Sequence, residues 1–229
     1  EVLWRAEPQG GEGHPGAIIA FSADGYLYLT SGERQLGDPA QVLADSRGKI
    51  LRLTLEGRAA PGNPFPDVPE VWSLGHRNPY GLVFDDKGQL WSHEMGPLGG
   101  DELNLIEPGR NYGWPEVSEG RQYSGLPIPD HDTRPEFTPP VVEWTPVIAA
   151  SGMIFYDGAV FPEWQGSLLI GGLRAQALVR VALQDEGAQE VDRWSFENRI
   201  RDVAQDTDGN IYLLEDGEEG RLLRLERQD

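Results

Sequence analysis

The chain has 229 residues, enough for one large domain or two small ones, and its 38% hydrophobic and 9% aromatic content suits a folded globular protein. A formal net charge of −19 sets it against nucleic acid and anionic membrane surfaces, which both need a basic face, and suits neutral sugars and bound cations such as calcium. The absence of cysteine excludes disulfides, thiolate catalysis and Cys-ligated zinc, and no apolar run approaches the ~18 residues of a membrane-spanning helix.

Helical periodicity is nearly absent, and the predicted elements are short strands. A Gly-rich stretch ends at His14-Pro15-Gly16 and leads into a first hairpin, Ala20 to Leu29, where Asp24-Gly25 separates two apolar runs. Glycine takes φ > 0 there without steric cost, which is the hairpin signal. Ile50-Leu51-Arg52-Leu53 follows as a strand whose lone arginine fits a residue pointing to the opposite face from its neighbours. The hairpin returns at Val83 to Trp91 with Lys87-Gly88, and at Ala204 to Leu213 with Asp208-Gly209. The Arg-bearing strand returns as Leu178-Val179-Arg180-Val181 and Leu222-Leu223-Arg224-Leu225. Asp24 and Lys87 lie 63 residues apart, and Lys87 and Asp208 lie 121 apart. These are about one and two repeats of ~60 residues. A further unit fits around Gly152 to Tyr156 and Ser167 to Ile170. Four such units read as blades of an all-β β-propeller. An unrelated β-sandwich with similar hairpins is the competing reading, and the regular repeat favours the propeller. The expected organisation is a single propeller domain over residues 1–229, incomplete at its N-terminus: nothing before residue 15 resembles a blade.

Two segments between these strands offer chemistry. Gly75-His76-Arg77-Asn78-Pro79-Tyr80-Gly81 provides the planar donor fork of Arg and the mixed donor and acceptor of Asn, which could grip a flat ligand bearing carbonyls. By its residues alone it reads equally as a well-bonded loop. Glu94 to Asn104 contains Gly96-Pro97 and Gly99-Gly100, whose backbone carbonyls suit a hard cation; without EF-hand spacing it also reads as a tight acidic loop. His14 alone reads as structural or solvated, Arg199-x-Arg201 as a solvated strand face, and Trp4, Trp114, Trp144 and Trp164 as packing residues.

Taken together, the motifs resemble those of a known family. Gly-His-Arg-Asn-Pro at 75–79, Gly-Pro-x-Gly-Gly-Asp-Glu-x-Asn at 96–104 and Asn111-Tyr112-Gly113-Trp114-Pro115 resemble the core of the soluble PQQ-dependent aldose dehydrogenases, the glucose/sorbosone dehydrogenase family. His14-Pro15-Gly16, Gly48 to Leu53, Ala150 to Met153, Leu168 to Arg174 and Asn198 to Val203 match it in the same order along nearly the whole chain.

The resemblance implies a six-bladed propeller, of which about four blades are visible here. It implies a quinoprotein oxidoreductase that oxidises the anomeric carbon of aldoses to lactones by hydride transfer to pyrroloquinoline quinone (PQQ), with calcium as second cofactor. An aldose substrate and an external electron acceptor would be its partners, and a periplasmic or secreted location is expected. His14 would be the general base, a role suited to an imidazole near neutrality. Arg77 would bond the reactive quinone carbonyl and stabilise charge developing there. Asn78 would contact the cofactor edge. Arg174, Arg199 and Arg201 would complete the cofactor site, the last two holding PQQ carboxylates from one face of a strand. Gly96 and Pro97 would give carbonyls to calcium. Ile18 stands where relatives often have Arg, Val147 where a small hydroxyl residue is expected, and the family's early cofactor-contacting Gln has no counterpart. These departures keep open a non-catalytic sugar- or protein-binding propeller. A calcium-dependent propeller lactonase is the other alternative, and it would need inward carboxylate ligands.

Overall fold

The computed structural model describes residues 1–8, 10–185 and 187–227. It is built from antiparallel strands, with short 3-10 turns as its helical elements among these residues. The chain divides into two compact units, Glu1–Thr145 and Pro146–Asp229.

The first unit holds two sheets. β1 (Gly16–Phe21), β2 (Leu27–Ser31), β3 (Lys49–Leu53) and β4 (Val71–Leu74) pair in sequential order. So do β5 (Pro79–Phe84), β6 (Leu90–Glu94), β7 (Asp101–Ile106) and β8 (Val142–Trp144). The second unit repeats the plan. β9 (Ala150–Tyr156), β10 (Ser167–Gly172), β11 (Ala177–Leu183) and β12 (Ala188–Ser195) form one meander. β13 (Arg199–Gln205), β14 (Ile211–Asp216) and β15 (Leu222–Arg224) form a three-stranded one. The all-β expectation of four blade-like sheets therefore holds. Among the described residues no helix is long and apolar enough to cross a membrane.

The three hairpins read from Asp-Gly and Lys-Gly share one turn. Gly25, Gly88 and Gly209 have φ of 86°, 76° and 88°. Their amides donate back to Ser22 O, Asp85 O and Asp206 O at 3.0, 3.1 and 3.1 Å. The recurrent arginines have three different fates. Arg52 is buried over the Tyr26 ring, 3.9 Å from its centroid, and donates to Pro61 O and Asn63 Oδ1. Arg180 pairs with Asp192, and Arg224 pairs at the surface with Glu226.

Within each unit the opening strands of the two sheets lie side by side. In the first unit Thr30 Oγ1 donates to Pro79 O at 3.0 Å, and Ala20, Tyr28, Ile50, Leu82, Leu90, Ile106 and Tyr112 bury a shared core. Ile18 packs on this core, which accounts for an apolar residue at that position. In the second, Ser151 Oγ donates to Ile200 O at 2.7 Å, and Tyr156, Phe161, Leu169, Leu178, Ile200 and Leu213 fill the core. Interlocking meanders of this kind bring the loops before β1, after β2, before β5 and after β6 to neighbouring positions in the first unit.

Candidate active site

His14 precedes β1 with a left-handed φ of 38°, and Arg34 and Gln35 in the loop after β2 are left-handed too, at 66° and 61°. Such backbone is uncommon for residues with a Cβ and collects at functional loops. Between them Glu33, 1% exposed, accepts His14 Nδ1 at 2.5 Å on Oε1 and the amides of Leu36 and Gly37 at 2.5 Å on Oε2. Burial pushes the Glu33 carboxyl up, but the hydrogen bonds from His14, Gly37 and Leu36 outweigh it and hold the group below the usual glutamate range. The carboxylate on Nδ1 favours the tautomer of a neutral imidazole that carries its proton there and leaves the lone pair on Nε2.

Across the cleft the segment 75–78 is anchored from below. His76 is fully buried between Ser73 Oγ, 2.8 Å from Nε2, and Glu94 Oε1, 3.0 Å from Nδ1, and it stacks on Tyr112. Glu94 Oε2 accepts the Arg77 amide, and Arg77 O accepts the Glu33 amide at 2.9 Å. Asn78 Oδ1 accepts Gly16 N at 3.2 Å. The two loops are thus stitched together through main chain. The Arg77 guanidinium donates from Nη1 to Met95 O at 2.8 Å and Gly96 O at 3.2 Å, and from Nη2 to Tyr123 Oη at 3.1 Å. It lies 5.0 Å from the Trp114 ring centroid. Among the described residues, two buried donors of this wall lack an acceptor, Nε of Arg77 and Nε1 of Trp114. Gly96 has no room for a side chain, since a Cβ would lie 2.2 Å from Gly99 O and Gly100 O. Its amide donates to Asp101 Oδ1 at 2.9 Å.

A cleft of about 590 Å³ joins these walls, with His14, Glu33, Arg77, Pro97, Trp114 and Tyr123 among its lining residues. The structure therefore gathers His14, Arg77 and Pro97 around one space, with Asn78 and Gly96 beside it. In the second unit, Arg199 and Arg201 share a strand face as expected and meet on one carboxylate. Asp216 Oδ2 lies 3.3 Å from Arg199 Nη2 and 2.8 Å from Arg201 Nη2. The Arg174 side chain is exposed just beyond β10.

Sequence reasoning offered the loop from Glu33 to Gln41 as a source of a substrate or cofactor contact without singling out Glu33, and took Trp114 as a packing residue; both line the cleft, as does Tyr123. The one signal for Glu33 was its place in the loop after the first hairpin, opposite the loop of His14. Trp114 and Tyr123 sit in the long connection between β7 and β8, whose course no local pattern dictates.

The glucose/sorbosone dehydrogenase family model matches residues 1–224. Aldose sugar dehydrogenase YliI of Escherichia coli (strain K12) is 37% identical over 223 residues, covering 93% of this chain and 60% of that protein. The chain spans about half the length of the curated relatives it matches. A crystal structure of glucose dehydrogenase superposes on all of the chain and 69% of its own with a TM-score of 0.92 at 41% identity. The PQQ-bound form of aldose sugar dehydrogenase from Streptomyces coelicolor matches with a TM-score of 0.74 at 36% identity, over 92% of this chain and 61% of that one. On these matches the chain belongs to the glucose/sorbosone dehydrogenase family.

Proposed function

We propose that this chain carries the reactive site of a quinoprotein that oxidises the anomeric carbon of aldose sugars to lactones, with PQQ and calcium as cofactors. The observation that carries the reading is the His14–Glu33 pair facing Arg77 in one cleft. The wall chemistry fits a flat, acceptor-rich, anionic ligand. Arg77 supplies a guanidinium held in place by two carbonyls and a phenol, and the two acceptor-less donors, Arg77 Nε and Trp114 Nε1, stand in the same wall. Arg77 and Asn78 would hold the cofactor. Gly96 and Pro97 would offer carbonyls to calcium, although the Gly96 carbonyl also serves Arg77. Bound PQQ would supply a two-electron acceptor for the hydride of the anomeric carbon.

The protein's own contribution is to the proton. Loss of hydride from C1 leaves positive charge on the developing carbonyl unless its hydroxyl proton leaves too. His14 Nε2 takes that proton, and Glu33 holds the imidazole in the tautomer that can accept it and offsets the charge it gains. Arg77 places a fixed cation where negative charge gathers. An external acceptor would then reoxidise the cofactor. The test is titration of the protein with PQQ and calcium followed by absorbance, then addition of an aldose with an artificial dye. Cofactor binding with aldose-dependent dye reduction supports the reading; absence of PQQ binding in the presence of calcium refutes it.

A further inference from the structure

Behind the cleft lies a lysine that the reaction does not use. Lys49, 0% exposed at the start of β3, donates from Nζ to Pro39 O at 2.8 Å, Arg47 O at 2.8 Å and Ala40 O at 3.2 Å. The charged groups nearest to it, Asp45 and Arg47, pair with each other at 2.6 Å. An amino group is expensive to bury, and a methionine of similar length would fill the same space without that cost. Packing alone therefore does not account for a lysine here.

What the amino group fixes is the 3-10 turn Asp38–Ala40. This turn directly follows the 33–37 loop that wraps the Glu33 carboxylate, and with that loop it contributes Leu36, Gly37 and Asp38 to the cleft wall. The turn is seated tightly on the strand: a Cβ at Gly48 would lie 2.6 Å from Ala40 Cα. Beyond it, Gln41 Nε2 donates to Asn111 Oδ1 at 3.0 Å and Trp114 O at 2.7 Å, tying the same segment to the opposite wall.

We propose that Lys49 is a positioning residue whose amino group, through the carbonyls of Pro39 and Ala40, locks the loop around Glu33 and so keeps the carboxylate on His14 Nδ1. The functional consequence rests on the reading of His14 as base, but the placement can be measured without turnover. In Lys49→Met, hydrogen-exchange protection at the Leu36 and Gly37 amides should fall by ~10-fold or more, and the His14 Nδ1 proton should vanish from the NMR spectrum, while the amides of β10 keep their protection. In the cofactor-loaded protein kcat should fall by ~10–100-fold with KM changed less. A folded Lys49→Met that retains both Leu36 and Gly37 protection and the His14 proton overturns the proposal. Loss of both with turnover unchanged upholds the anchor and refutes the catalytic reading of the pair instead. Should Lys49→Met not fold, the unaltered protein gives the test, because Lys49 is one of only two lysines. Acylation of Lys49, followed by mass spectrometry, should proceed through the same opening that exchanges the Leu36 and Gly37 amides. Amides that exchange freely while Lys49 stays unmodified contradict the anchor.

Discussion

An imidazole accepts a proton only at a nitrogen with a free lone pair, so what matters for His14 is which nitrogen its neighbour occupies. Glu33 occupies Nδ1, and its own second oxygen is held by two amides of a tight loop. Glu33→Gln keeps the size but removes the charge and no longer dictates the tautomer. Its expected effect is a ~10–100-fold fall in kcat with PQQ affinity little changed, checked by steady-state turnover alongside a cofactor titration. His76, the neighbour of Arg77, cannot take over, because both its ring nitrogens are engaged in the interior by Ser73 and Glu94. At this scale the lining of the cleft was legible where its residues form a contiguous motif: Arg77 and Pro97 line it, with Asn78 and Gly96 next to them in sequence. The bond between Glu33 and His14 was not, since the two lie 19 residues apart and meet only once β1 and β2 have paired.

Elements hold these residues because each sheet's first strand grips its neighbour's. Tyr156 shows the grip in the second unit. Its hydroxyl donates to Gly209 O at 2.9 Å and accepts the Phe161 amide at 3.0 Å, both buried. Tyr156→Phe leaves an amide and a carbonyl without partners, so urea unfolding should show a loss of ~1–3 kcal/mol. Strand hairpins were the most legible elements, because an Asp-Gly or Lys-Gly turn between apolar runs is a local signal that long-range packing need not supply. The connection from β7 to β8 was illegible for the converse reason. Its course is set by distant contacts, such as Asn111 Nδ2 on Gln41 Oε1 at 2.7 Å and the Trp114 amide on Gly75 O at 3.0 Å. The three-stranded β13–β15 sheet is the hairpin with an Arg-bearing strand after it that the sequence foresees.

For the molecule as a whole, pH and salt act through charges whose environment changes on folding. Burial pushes Lys49 down to about 7, against the pull of Asp45. The unfolded chain keeps that proton up to ~10.4, so between about 7 and ~10 it binds more protons than the folded protein. Stability should therefore rise with pH across this window, and Lys49→Met should flatten the rise relative to the unaltered protein in urea unfolding at stepped pH. Glu33 gives a dependence of the same sign in the acid range. Its folded value is lowered, so its contribution is present above ~4.3 and is lost as pH falls through the lower folded value. Added salt should raise the Tm, since a net charge of −19 repels itself and screening relieves it.

Stopped-flow absorbance of the PQQ- and calcium-loaded protein shows whether an aldose gives up its anomeric hydrogen in the cleft of His14 and Arg77, as proposed. On mixing with glucose, the unaltered protein should show rapid cofactor reduction, and His14→Ala should bind PQQ equally well yet reduce it ~10²–10⁴-fold more slowly. Reduction of bound PQQ by glucose at an unchanged rate in His14→Ala would rule out His14 as the base.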